Sequence, residues 1–188
     1  MFAGAELGLM VGSTMPARTV RASSVNMADI VTTLQTLKGP EIFLGADGVA
    51  LGYEESDVKG YEGFGKLLAA ISSTGVDMSG EYTLLAPADS AFDKHADEVG
   101  AVTADIIKYH LIPGTKTMDQ LNVDQPTAQG GTLTAYRKFR KNWLDNAIIG
   151  LKSEGASKSG SWPADVKCDN GMIHGIDTVL VPGAYEAR

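Results

Sequence analysis

The stretch Tyr82-Thr83-Leu84-Leu85-Ala86-Pro87-Ala88-Asp89-Ser90-Ala91-Phe92-Asp93-Lys94 constrains the fold of this chain more than any other. Tyr82 to Ala86 has the apolar, uninterrupted character of a buried strand, and Pro87 stops it because proline brings no ladder donor. Asp89 can then cap a helical turn that points Phe92 inward. A strand delivered straight into a capped helix needs a core on which both can pack.

Elements of both kinds surround this block. Ile30, Leu34 and Leu37 fall at helical spacing behind Asp29, a suitable N-cap, and predict a helix over 28–38 that Gly39-Pro40 ends. Residues 41–63 mix five glycines with Glu54, Glu55 and Asp57 and predict an irregular loop with short extended pieces. Phe64, Leu67, Leu68 and Ile71 mark a second helix, and Thr103 caps a third that carries Ile106 and Ile107. Later, 132–135, 136–143, 147–151 and 172–181 read as strands, with a Gly/Ser-rich loop over 153–161. Helices first and strands later predict an α+β domain.

Composition narrows the function. With 188 residues, 44% of them hydrophobic, the chain can bury one substantial core. A net charge of -7 argues against duplex nucleic acid, whose binders neutralise phosphates with Lys and Arg. The single cysteine, Cys168, allows no intrachain disulfide, which favours a reducing compartment. No apolar run reaches the roughly 18 residues of a spanning helix.

Catalytic and metal signatures are not apparent. His95, His110, His174 and Cys168 show no metal-ligand spacing, and the sequence has no H-E-x-x-H, C-x-x-C or G-x-S-x-G. Gly60-Tyr61-Glu62-Gly63-Phe64-Gly65-Lys66-Leu67 approaches a phosphate loop. It has Leu67 where magnesium needs Ser or Thr, and Glu62 would repel phosphate, so it reads as a glycine-rich lead into a helix. No cofactor and no metal are expected, and an enzyme would need a pocket with convergent titratable groups. His110 and His174 sit in apolar elements, as neutral imidazoles with internal partners do, and Asn170-Gly171 reads as a turn.

One segment stands out for binding. Tyr136, Arg137, Lys138, Phe139, Arg140, Lys141 and Trp143 place four cations among three aromatics in an acidic chain, which suits cation–π contact with an acidic protein partner. The plainer alternative is a solvated hairpin with Tyr136 or Phe139 facing inward.

With Tyr109-His110-Leu111-Ile112-Pro113-Gly114 and the late segment 170–182, the block at 82–94 closely resembles the fasciclin-like domain family over about 64–183. That resemblance implies a compact, wedge-shaped β-sandwich with helices packed along one edge, acting chiefly as a non-catalytic adhesion and interaction module. In animal extracellular members, an Asp-Ile pair and a Tyr-His motif are linked to integrin adhesion. Asp165-Val166 and Tyr109-His110 match them here, the first with Val for Ile, which makes Tyr109, His110 and Asp165 further partner-binding candidates. Ala88 stands where Thr is usual and Gly175 where a larger apolar residue is common.

Residues 1–27 are rich in Ala, Gly, Ser, Thr and Met, with Glu6 their only acid, and resemble a plastid-targeting segment of the red-algal lineage. A flexible tail and a poor secretory signal are the alternatives. The domain plan is therefore 1–27 as a targeting-like or partner-binding arm, 28–63 as helix and insertion, 64–183 as the domain and 184–188 as a tail. The expectation is a scaffold, linker or accessory subunit of a plastid photosynthetic assembly, a phycobilisome antenna or a photosystem, at the stromal side or the thylakoid. In that setting Cys168 could attach a pigment. The alternative is a secreted or cell-surface adhesion protein, although no Asn is followed two places later by Ser or Thr, as N-glycosylation requires.

Overall fold

The computed structural model describes residues 28–43, 58–98, 100–139, 141–150 and 162–185. In chain order the elements are α1 (Ile30–Thr36), β1 (Glu41–Phe43), β2 (Val58–Tyr61), α2 (Gly65–Thr74), β3 (Tyr82–Pro87), α3 (Asp89–Glu98), α4 (Ala104–Tyr109) and β4 (Leu111–Pro113). A 3-10 turn over Met118–Leu121 follows. Then come β5 (Gln125–Pro126), β6 (Thr132–Leu133), β7 (Ala135–Lys138), β8 (Lys141–Leu144), β9 (Ala147–Ile149), β10 (Val166–Cys168) and β11 (Gly171–Ile176). The domain is α+β, as expected.

A seven-stranded sheet runs β4-β3-β11-β9-β8-β7, with β10 paired to β11. Its spine is the parallel pair β3–β11, in register from Gly171↔Tyr82 to Ile176↔Pro87. The other edge of β11 is shared, with β10 along 171–173 and β9 at Ile176. Both spine strands are buried on both faces, which is why Tyr82 to Ala86 reads as a continuous apolar run rather than an alternating one.

Alternation still sorts the spine between two cores. Leu84, Ala86 and Ile173 meet Ile30 and Leu34 of α1, Leu67 and Ile71 of α2, Phe92 of α3 and Ile106 and Ile107 of α4. Leu85 and Ile176 turn the other way, against Ile112, Leu121, Leu133, Leu144, Ala147 and Ile149. The second core therefore lies against the inner face of the seven-stranded sheet, closed by Leu121 of the 3-10 turn and Leu133 of β6, and the helices cover the other face of the spine. Each fully buried Leu or Ile contributes about 1.5–3 kcal/mol.

Two departures from the sequence reading concern extent. The segment 136–143 is two strands, β7 and β8, reversing at Phe139, and the last strand stops at Ile176 rather than Val181. Strand β10 has no counterpart in the sequence reading; it is three residues long, too short for a period to show. Ile30 and Leu34 of α1 pack in the helix-side core with Phe64 and Leu67. Residues 44–57 of the expected insertion over 41–63, the loop at 153–161 and the arm at 1–27 lie outside the described residues.

Capping is reciprocal where the helices meet. Asp89 does not cap its own helix by side chain; its Oδ1 accepts the Lys66 N–H of α2 at 2.7 Å. In return Glu62, just before α2, accepts the Ser90 N–H of α3 at 2.7 Å. Lys66 pairs with Asp93. A carboxylate thus sits at the helix start where a phosphate loop would hold phosphate, so that near-match carries no phosphate site. Asp29 and Thr103 cap α1 and α4 as expected.

Asn170 ties distant segments together. Its side chain accepts the Ile30 N–H at 2.9 Å and donates to Met78 O at 2.7 Å, and its carbonyl accepts the Tyr82 N–H at 3.1 Å. At Gly175 a Cβ would come within 2.9 Å of Pro163 Cδ, so the missing side chain admits the Pro163 ring.

Candidate interaction surface

The sequence candidates divide into an inside group and an outside group. Tyr109 and His110 are inside, 5% and 0% exposed. The Tyr109 hydroxyl donates to Asp145 Oδ2 at 2.8 Å, and burial, aided by that carboxylate, raises its pKa well above the ordinary phenol value. His110 donates from Nδ1 to Ile106 O at 2.8 Å and accepts the Leu180 N–H on Nε2 at 2.9 Å. His174 uses the opposite tautomer, donating from Nε2 to Lys116 O at 2.8 Å and accepting the Asp165 N–H on Nδ1 at 3.2 Å. Both imidazoles are neutral internal connectors. Tyr109 and His110, expected as partner-binding candidates, are turned inward, where their side-chain polar atoms have internal partners.

Asp165 is exposed, with φ of 54°, and its carboxylate accepts the Met118 N–H at 2.9 Å. It organises a loop of the second core. Cys168 is 6% exposed, packs into the helix-side core, and has its thiol pKa raised mainly by burial. It behaves as a small apolar side chain and offers no exposed nucleophile for a pigment.

The outside group is the β7–β8 hairpin. Register pairs Ala135↔Leu144, Tyr136↔Trp143, Arg137↔Asn142 and Lys138↔Lys141. Leu144 faces the second core and Ala135 packs against it, so alternation turns Tyr136, Lys138, Lys141 and Trp143 to the outer face. There the Tyr136 ring lies 5.8 Å from that of Trp143 and 6.0 Å from that of Tyr185, with planes within 9° and 8°. Such stacked pairs are each worth about 0.5–1.5 kcal/mol beyond burial. Neither Tyr136 nor Phe139 faces inward. Phe139 is 79% exposed at the turn, with the Lys138 ammonium 5.4 Å from its ring centre. Arg140 lies outside the described residues.

Tyr185 is the member that sequence reasoning missed. It lies in what reads as a tail, and nothing local in a sequence signals that a lone aromatic will stack on a strand elsewhere. Among the described residues the ion pair present is Lys66–Asp93, so Arg137, Lys138 and Lys141 have no carboxylate partner there. Lys138 and Lys141 even oppose each other across the strands, an arrangement that costs stability.

Phe139 carries a testable strain. Its φ of 52° is a conformation that glycine or asparagine ordinarily occupies. Phe139→Gly is expected to stabilise the protein by up to about 1 kcal/mol. Relief of about 1–2 kcal/mol of left-handed strain outweighs the roughly 0.5–1 kcal/mol of added chain entropy. Urea unfolding measures this, and a stability loss would show that the ring supports the fold.

Two hollows line other faces. One, about 280 Å³, is bordered by Lys94, His95, Asn146 and Asp177. The other, about 560 Å³, is an open groove by Glu81, Thr115 and Lys167. Among the described residues no three His, Cys, Asp or Glu side chains are grouped as metal ligands, and no helix is long and apolar enough to cross a membrane.

Taken together, the geometry defines a two-core α+β domain that presents an aromatic and cationic hairpin. The fasciclin domain profile matches residues 62–182, and the chain belongs to the fasciclin domain family. It is similar to the cell surface glycolipoproteins MPB83 of Mycobacterium bovis and MPT83 of Mycobacterium tuberculosis. Each is 31% identical over 127 residues, which is 64% of this chain and 52% of the relative. The chain thus spans about half the length of these curated relatives. Among solved structures, it matches a FAS1 domain pair from the insect cell adhesion molecule Fasciclin I at 21% identity. The TM-score is 0.35, with 62% of this chain and 40% of that chain covered.

Proposed function

We propose that the chain is a non-catalytic protein–protein interaction module of the cell-surface, adhesion kind. The observation that carries this is the hairpin: stacked aromatics, beside cations that have no carboxylate partner among the described residues, make a contact surface rather than a reaction centre. Membership of the fasciclin family and similarity to cell surface glycolipoproteins support it. The finer reading, a subunit of a plastid photosynthetic assembly, rests on the composition of residues 1–27, which lie outside the described residues. The relatives found are cell-surface proteins, and they favour the adhesion reading.

Localisation tests it. Mild protease treatment of intact cells is expected to remove the protein, and surface biotinylation to label it. Recovery only inside isolated plastids, co-migrating with pigmented complexes, would overturn the cell-surface reading in favour of the photosynthetic one.

A further inference from the structure

Among the described residues, strand β7 closes one end of the sheet order and pairs only with β8. The Ala135 N–H leaves the sheet for the Asp124 carboxylate, at 2.8 Å. Hydrogen-bonded and non-hydrogen-bonded pairs alternate along an antiparallel ladder, so the N–H and C=O of Arg137, two positions on from Ala135, also point away from β8. An open sheet edge of this kind is a template for another strand.

The charge around this edge selects what can pair there. Four of the chain's 16 Lys and Arg residues fall within 137–141, where there is no acid, although the whole chain carries -7. A second copy would bring Arg137 and Lys138 against themselves, so the edge is protected from self-pairing. The three parallel rings face one another and leave only the two end faces of the stack, a poor platform for sugar rings. The strained backbone at Phe139 holds a bare ring at the tip, beside the entry to the edge.

We propose that β7 receives an extended acidic segment of a partner protein as an added strand. Its backbone pairs with the Arg137 edge, and carboxylates on one face of the added strand meet Lys138 and Lys141 on the outer face of the hairpin. This inference rests on the interaction-module reading and names the partner chemistry for that surface. Main-chain pairing supplies affinity, and the opposite charges supply selection and speed of encounter.

The test uses the full chain and a synthetic peptide of alternating Glu and Thr, about ten residues long, enough to span a strand of this kind. Amide NMR is expected to show shifts and slowed exchange at Arg137 and Lys138 on peptide addition. Lys138→Glu and Lys141→Glu should each weaken binding by roughly tenfold or more. Lys167→Glu, an exposed cation on β10, should leave it unchanged. A peptide N-methylated at alternate amides keeps every charge but loses the main-chain donors, and should not bind. Near-UV circular dichroism of each variant checks the fold, and Lys138→Gln provides a milder substitution where the charge reversal disturbs it.

Equal binding of the N-methylated peptide would overturn strand addition. Absence of peptide binding, or dextran sulfate shifting the hairpin where the peptide does not, would overturn the acidic-protein partner, the second pointing to an anionic polysaccharide. These outcomes are separable from the localisation result. A surface protein that ignores the peptide refutes this inference alone, and a plastid protein that binds it refutes the cell-surface reading alone.

Discussion

Gly171→Ala is expected to remove more than about 4 kcal/mol of stability, enough to leave a domain of ordinary stability largely unfolded at room temperature. A Cβ built on Gly171 would lie 1.7 Å from Tyr82 O and 2.8 Å from Tyr82 C. Both contacts are to backbone, so no side-chain rotation relieves them. The residue also has φ of 151°, which side-chain-bearing residues rarely adopt. Relief requires β11 to move off β3 at the first step of their parallel register, Gly171↔Tyr82, beside the Asn170 carbonyl that takes the Tyr82 N–H. Gly183→Ala is the control. Its φ is 76° but nothing lies within 4 Å of a Cβ, so it should cost only the left-handed penalty of about 1–2 kcal/mol. Urea unfolding followed by circular dichroism compares the two. A Gly171→Ala protein within about 1 kcal/mol of the parent would refute the backbone clash.

Acid should weaken the fold from about pH 6.5 downward. Complete burial pushes the His110 pKa from an ordinary 6.5 down to about 4, and burial lowers that of His174 as well. Between those two pH values the unfolded chain binds a proton that the native His110 refuses, so stability rises with pH there and is lost as pH falls. The His110 contribution is complete above pH 6.5 and is lost on descent towards pH 4, to the extent of about 3 kcal/mol. Charging His110 would also put a proton on Nε2, which now accepts the Leu180 N–H. Urea midpoints at neutral and mildly acid pH should show the loss. His110→Gln keeps one donor and one acceptor arm without a titrating group. It should be less stable at neutral pH and have a flatter pH profile. An unchanged slope would assign the acid sensitivity to other groups.

How legible these features were in sequence depends on how far away each partner lies. Asp29 and Thr103 accept amides from residues three positions on, so their caps follow from local order. The run from Tyr82 to Pro87 announces a doubly buried strand because both faces demand apolar residues. Asp89 looked like a cap for α3 yet serves α2, because its partner Lys66 lies 23 positions back. Asn170-Gly171 was recognised as a turn. Its larger role, joining Ile30, Met78 and Tyr82, depends on segments that only the fold brings together. The hairpin chemistry was visible as composition, but its face was not. Register alone decides that Tyr136 and Trp143 share the outer side, and Tyr185 joins them from a segment with no pattern of its own. Tyr109 and His110 show the opposite limit, since a motif can match while the fold turns it inward.

The order of assembly follows from the place of β11. It is the last strand in the chain among the described residues, yet it lies in the middle of the sheet and pairs with β3, roughly 90 positions earlier, a separation that makes pairing slow. Until Ile176 has been synthesised, β3 has no parallel neighbour and the two cores share no common wall. A growing chain therefore cannot close this domain piecemeal. It stays open until Ile176 has been made, so its two cores close together in one late step.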